Sequence, residues 1–513
     1  MSFNSILSER TENRVEGETR SSGMPAFFID LNLDQVIDAI TASKTEYDLK
    51  PFFYTSLHTF STIAYRHEVF LDLEDNRIAD IIMDFAKQMR IIREYHTQVE
   101  KLHYPLQKQF WFLDAVEMYC EALKDFKRKL GFCSLTSTGL QSFWQYLRNY
   151  LDTEPFTVFA AATKELKRDL AEIKYCMVIK DNSIRVRKYE SEADYSSEVE
   201  DTFSKFKDGS VKDYTVKYPD YPDMNHVQAK VLEFVSQLFP EVFARLNFFC
   251  TENTQYMDPL IRDFDREIQF YIAYLEFIKT FKDHGLAFCY PKLSADSGDI
   301  CDTEAFDIAL ANKYSKQLTS LVTNDFYLRG KERIIVVSGP NQGGKTTFAR
   351  MVGQLHYLAS LGCPVPGKGA RLFLFDNLFT HFEKEENIQD LRGKLEDDLI
   401  RINDILDSAT SQSIIIINEI LISTTLKDAV FLSKKIMERL VQLDLIGVWV
   451  TFIEELSTFD KKTVSMVSTI VPENPVQRTF KIVRLPANGL SFARAIAEKH
   501  HVTYESIRKR IGS

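Results

Sequence analysis

Between Phe27 and about Leu166 apolar residues recur every three or four positions, the interval that lines one face of a helix. The stretch Ile78–Arg90 (IADIIMDFAKQMR) carries this spacing, and Tyr104–Leu130 repeats it with Phe110, Trp111, Phe112 and Tyr119. Helical spacing assigns those aromatics to a core rather than to base stacking. Near residue 174 the period changes. Tyr175–Ile179 and Ile184–Arg187 flank Lys180-Asp181-Asn182-Ser183, which predicts a hairpin with an Asp-Asn turn. Arg185 and Arg187 fall on the face opposite Ile184 and Val186. With Lys180 and Lys188 they make a small basic patch, read as a solvated strand face that could also meet phosphate. Acidic and polar residues follow, from Tyr195 to Asp223. Helices resume at Val227, and Ile261–His284, with apolar residues at 264, 268, 271, 272, 275 and 278, predicts a long amphipathic helix.

The last third alternates strands with helices. Ile334-Ile335-Val336-Val337 reads as a strand buried on both faces. A helix from Thr346 towards His356 follows, its last part Leu355–Leu361 ending at Gly362. Cys363–Gly367 reads as a turn, Leu372–Phe375 as a short strand ending at Asp376, Phe382–Asn387 as an acidic loop and Asp390–Leu406 as a charged helix. Ser413–Ile417 is a second apolar strand, closing on Asn418-Glu419, and Leu445–Thr451 a third. Such alternation predicts a mostly parallel sheet covered by helices, with ligands at the carboxyl ends of its strands. Thr346, Asn418 and Thr451 all fall there.

Composition bounds this picture. The 513 residues suffice for roughly three domains of ~150 residues. No stretch reaches the ~18 uninterrupted apolar residues of a membrane span. The first 24 residues are polar, with no apolar signal region, and read as a disordered tail. Seven scattered cysteines without a C-x-x-C pair suit reduced thiols in a cytoplasmic protein. A net charge of −10 argues against a broad nucleic-acid-coating face but leaves room for a local basic groove. Residues 25–320 contain no metal-ligand cluster or nucleophilic dyad; His226 and His284 stand alone.

The candidate chemistry sits between the first apolar strand and its helix. Gly339-Pro340-Asn341-Gln342-Gly343-Gly344-Lys345-Thr346-Thr347 contains G-x-x-x-x-G-K-[ST], the phosphate-binding loop. Its glycines let backbone N–H groups turn towards phosphate, Lys345 supplies charge to the β- and γ-phosphates of ATP, and Thr346 offers a hydroxyl to Mg²⁺. The helix N-terminus favours the anion. Glu419, at the end of the isoleucine strand, is placed to align a water against the γ-phosphate and is assigned as general base. The aspartate usual before such a glutamate is replaced by Asn418. Its amide oxygen can still accept from Mg²⁺-bound water but brings no charge, so metal affinity should fall.

These residues resemble the MutS family of DNA mismatch repair ATPases. Gly339–Thr347 is close to that family's GPNMGGKST, LASLGCPVP (358–366) to the segment before its second strand, and Asp376–His381 to its D-x-IFTRI. Asn418-Glu419-Ile420 with Ser423–Ala429 is similar to DEIGRGTSTFDG, Thr451–Leu456 to the switch THYHEL, and Asn324-Asp325 to its P-N-D. The resemblance implies an α/β P-loop NTPase of the ABC type at the C-terminus, residues 321–513. Before it would come a mainly α-helical core and lever region (26–173 and 236–320) with a small clamp-like β insert at 174–235, after a tail at 1–25. It also implies a homodimer completing two nucleotide sites across its interface, a nucleotide-switched clamp on branched or distorted DNA, and no membrane partner. The alternatives are a clamp on RNA or ribosomes, or a nucleotide-dependent protein scaffold. Departures matter. The 513 residues hold no G-x-F-Y-E motif of the family's mismatch-reading domain, and no nuclease-like extension is expected. The trans-signature serine has no clear equivalent near Gly393–Glu396. The switch histidine is Phe452, so hydrolysis is expected to be slow or conditional.

Overall fold

The continuous aliphatic runs become strands covered on both faces: Ile334–Ser338, Ile414–Asn418 and Ile446–Val450 are buried along their whole length. The computed structural model describes residues 3–9, 23–181, 183–191, 224–295, 299–314, 321–383, 393–471, 474–487 and 502–511. The chain divides into two units. One holds Glu74–Leu135 and Gln141–Asp265; the other holds Phe3–Leu73, Thr136–Leu140 and Arg266–Ser513.

The first unit is helical. Asp75 caps the helix Asn76–Lys101 by accepting from the Arg77 N–H at 2.9 Å, and a proline opens Pro105–Leu130. The two helices meet through stacked Phe85 and Phe126, with centroids 4.1 Å apart. The predicted core aromatics all have intramolecular partners. Phe112 and Tyr119 are buried against Tyr256, Trp111 packs on Tyr95 and Phe110 on Phe243. The predicted hairpin is β1 (Tyr175–Lys180) and β2 (Ser183–Lys188), antiparallel, turning at Asp181 with φ +54°. Cys176 pairs with Arg187, Val178 with Arg185 and Lys180 with Ser183, so Lys180, Arg185 and Arg187 share one face. Lys188 stands on the other face, its ammonium 5.2 Å from the Phe239 ring centroid, and so leaves the expected patch. The acidic stretch 195–223 lies outside the described residues. The expected insert boundary at 235 cuts the helix His226–Leu238, which Asn225 starts with a capping box.

In the second unit, β3 (Phe288–Cys289) pairs with β8 (Val365–Pro366). A four-stranded sheet orders β4 (Lys292–Ser294), β9 (Gly369–Phe373), β5 (Asp299–Ala305) and β6 (Asn324–Arg329). The main sheet has six strands in the order β10-β11-β12-β7-β13-β14. These are β7 (Ile334–Ser338), β10 (Leu378–Phe382), β11 (Ile414–Asn418), β12 (Ile446–Val450), β13 (Thr463–Val471) and β14 (Asn474–Val483). Every neighbouring pair is parallel except β13–β14, as the strand–helix alternation predicts.

Several expectations need correction. The region 236–320 is not helical throughout. The helix Pro259–Lys282 gives way to β3, β4 and β5, and β5 pairs with β6 across the expected boundary at 321. These strands are two to seven residues long, too short to print a period. The turn at 363–367 contains β8. The strand near Leu372 runs Gly369–Phe373 and joins the smaller sheet, while Leu378–Phe382, part of it read as loop, forms the edge of the main one. The amino terminus is no tail where it is described. Phe3, Ile6 and Leu7 are buried. Ser5 Oγ and the Ile6 N–H donate to Glu267 Oε2 at 2.8 and 3.0 Å, Tyr65 donates to the Ser5 carbonyl, Tyr271 to that of Ile6 and Arg66 to that of Leu7. Three apolar residues in five cannot announce such burial; their partners lie dozens to hundreds of positions away.

Candidate nucleotide site

The loop after β7 works against ordinary backbone preference. Gly339 has φ +120° and Gly344 φ +90°, where glycine is the natural residue, but Gln342 also sits at φ +59°. The helix Lys345–Ser360 starts immediately afterwards with Gly344 as N-cap, so its unpaired N–H groups face the loop. Lys345 is 6% exposed. Its Nζ donates to the carbonyls of Gly339 (3.1 Å) and Pro340 (3.2 Å) and to Asn341 Oδ1 (3.4 Å), and lies 3.4 Å from Glu419 Oε1.

The opposite edge comes from β11. Asn418 is its last residue and is buried, with Oδ1 unpaired by any hydrogen bond. Glu419 (φ +51°) and Leu421 (φ +62°) form a strained corner, tied down by the Glu419 N–H donating to the Val450 carbonyl at 2.9 Å. Together these elements line a cavity of about 600 Å³ that includes Asn341 through Thr347 and Glu419. The structure therefore brings the loop residues, Lys345, Thr346, Thr347 and Glu419 to one place, with Asn418 directly before Glu419. Gly339 and Pro340 stay behind the loop, holding the lysine. Thr451 is buried at the end of β12, occupied with the Ile453 N–H, and Phe452 is half exposed; neither lines the cavity.

The far wall is not one that sequence reasoning supplies. Leu310, Tyr314, Leu321, Val322, Asn324 and Phe480 complete the cavity. Phe480 is held at φ +59°, its carbonyl accepting from Asn324 Nδ2 at 3.2 Å, while Asn324 Oδ1 accepts the Ile482 N–H at 2.7 Å. One signal for β13 and β14 stands in the sequence: two alternating stretches rich in valine and threonine flank Pro472-Glu473-Asn474-Pro475. Nothing in it points Phe480 at the loop, because positive φ is not legible in a phenylalanine.

A parallel sheet whose central strand feeds a glycine loop and a helix N-terminus, with a carboxylate at the end of a nearby strand, is the architecture of a P-loop NTPase domain. Residues 335–501 match the family model for MutS domain V. A DNA mismatch repair protein MutS from Thermotoga maritima is 26% identical over 246 residues, 47% of this chain and 29% of that protein. An Endonuclease MutS2 from Thermus thermophilus is 28% identical over 190 residues, covering 37% and 25%. The DNA mismatch repair protein MSH3 of Yarrowia lipolytica is 26% identical over 170 residues, covering 32% and 17%. The chain thus spans less than a third of the length of these relatives, and its residues 335–501 belong to the MutS family. No helix among the described residues is long and apolar enough to cross a membrane.

Proposed function

We propose that this chain binds ATP with Mg²⁺, hydrolyses it slowly, and acts as a homodimeric, nucleotide-switched clamp on branched or distorted DNA. The observation that carries the reading is the meeting of Lys345 and Glu419 at 3.4 Å in one cavity bounded by a helix N-terminus. Loop N–H groups and that N-terminus would receive the phosphates. Lys345 would exchange its loop carbonyls for β- and γ-phosphate oxygens. The apolar wall of Leu310, Tyr314, Leu321, Val322 and Phe480 suits a purine base. Glu419 would orient the attacking water and accept its proton.

The residues fit a divalent cation: the buried, unpaired Oδ1 of Asn418 needs a donor, which a metal-bound water supplies, and Thr346 offers its hydroxyl. Thr346, and Asn418 through a bound water, would hold the cation, which would supply charge neutralisation at the phosphates. With an amide at 418 and a phenylalanine at 452, both the charge beside the metal and a hydrogen bond to the γ-phosphate are missing, which supports slow turnover. Ile422, Leu426, Phe431 and Phe452 stand 43–65% exposed in the segments flanking the site, and a second copy would cover them. The basic face of Lys180, Arg185 and Arg187 suits phosphate contacts that read shape rather than sequence.

The test has two parts. A fluorescent ATP analogue should bind the wild type and lose most of its affinity for Lys345→Ala. Mobility-shift titrations should then rank a four-way junction above a mismatched and a perfect duplex, with affinity falling as salt rises. Equal nucleotide binding by both proteins, or tighter binding to structured RNA, would overturn the corresponding half.

A further inference from the structure

The phosphate loop rests on β13. That strand runs parallel to β7 with Val467 opposite Ser338, so the next residue, Ser468, comes up beside Gly339. The pairing with β14 breaks at this point: Ser468 faces Ile482, but Ile470 faces Arg478. Such a bulge re-aims the local side chains. Ser468 is 1% exposed, and its Oγ donates to the Gly343 carbonyl at 2.7 Å. A Cβ on Gly343 would overlap that Oγ, and one on Gly339 would come 3.0 Å from both Ser468 Cβ and the Ser468 carbonyl oxygen.

We propose that Ser468 is a positioning residue for the phosphate loop, fixing the direction of the Gly343–Gly344 peptide by its hydrogen bond and its fit between two glycines. The inference rests on the reading that this loop binds nucleotide. A trans peptide is planar, with its C=O and N–H on opposite sides. Holding the Gly343 carbonyl against Ser468 therefore turns the Gly344 N–H away from the sheet, towards the cavity that Gly344 lines. Gln342, a non-glycine at positive φ one residue before Gly343, needs such outside constraint to persist. The first and middle glycines of the loop are thus required as much by the serine beneath them as by a phosphate above.

The experiment uses the full chain. Ser468→Ala removes the hydrogen bond without adding volume; Ser468→Val adds bulk against Gly339 and Gly343. Affinities for fluorescent ATP and ADP, and for adenosine by competition, are measured alongside hydrogen–deuterium exchange of the peptide spanning 339–347. One buried hydrogen bond corresponds to about a five- to tenfold change in affinity. Ser468→Ala should weaken ATP and ADP by that factor, leave adenosine unchanged and speed exchange in the loop; Ser468→Val should weaken both nucleotides further. Unchanged ATP affinity and loop exchange in Ser468→Ala, or a parallel loss of adenosine, overturns the inference while the nucleotide reading stands. Failure of the wild type to bind ATP overturns both.

Discussion

Asp302 offers a prediction that can be worked to a magnitude. It lies in β5, is 1% exposed, and its carboxyl oxygens meet no hydrogen-bond donor beyond a weak approach of the Thr303 N–H, which opposes the effect of burial. Burial, with the charge of Asp325 adding to it, pushes its pKa from 3.8 up to about 8. Between those values the unfolded chain has released this proton and the folded chain keeps it. Stability is therefore fullest below pH 3.8 and falls as pH rises towards 8, by about 1.4 kcal/mol per pH unit. Holding the carboxyl protonated at pH 7 costs roughly 4 kcal/mol on this scale. Asp302→Asn removes the titration but leaves an amide with its own unmet hydrogen bonds, worth about 1–3 kcal/mol. The variant should accordingly be modestly more stable at pH 7, and increasingly so at pH 8. The useful window is pH 6.5–8. Below it the half-buried His67 and the buried His356, both lowered to about 4, also link protons to folding, and above it buried thiols such as Cys120, raised to about 11, begin to do so. Urea unfolding across that window should show the wild type losing about 1.5–2 kcal/mol relative to the variant. Parallel curves would refute the reasoning, since a carboxyl of ordinary pKa would already be ionised throughout.

Glu419→Gln should keep ATP binding while lowering steady-state hydrolysis by at least about 100-fold, the usual yield of a positioned base; unchanged turnover would remove Glu419 from that role. Asn418→Asp should lower the Mg²⁺ midpoint of nucleotide binding about tenfold, equivalent to 1.4 kcal/mol, by putting a charge where the unpaired amide oxygen now sits; a titration with the same midpoint for both proteins rejects it. The double substitution Arg185→Glu with Arg187→Glu should reduce the slope of log affinity against log salt by about two for junction DNA, roughly 0.9 for each phosphate no longer neutralised; an unchanged slope would mean the hairpin does not touch the backbone.

How far the sequence reaches differs from element to element. The isoleucine strand and the glycine loop are legible because burial on both faces and a tight anion cradle each demand residue types that little else demands. The long helices are legible for a similar reason: Ile78, Ile82, Phe85 and Met89 are all buried in one of them. What escapes is decided at a distance. Phe3, Ile6 and Leu7 are inside because Glu267, Tyr65 and Tyr271 bind the backbone of this segment. Lys188 is a different case: the alternation that sets Arg185 and Arg187 on one face puts it on the other, so its exclusion from the patch is legible in the strand alone. Asn324, Ser468 and Phe480 belong to the site through hydrogen bonds to residues more than a hundred positions away. Leu378–Phe382 is an edge strand with a charged flank, so its apolar signal is diluted.

In sequence the first unit interrupts the second: Glu74–Leu135 and Gln141–Asp265 fall within a unit that begins at Phe3, returns briefly at Thr136–Leu140 and resumes at Arg266. On the ribosome, this means that Ser5 and Ile6 emerge long before Glu267, the carboxylate that holds them, and Arg66 long before the Leu361 carbonyl to which it donates at 2.8 Å. The second unit can close only after Glu74–Asp265 has been synthesised, so the nascent chain should carry Phe3, Ile6 and Leu7 uncovered until Glu267 and Tyr271 have emerged. A segment made early in this unit is thus among the last to find its partners, and a bulky insertion beside Phe3–Leu7 would burden assembly of the very unit that carries the nucleotide site.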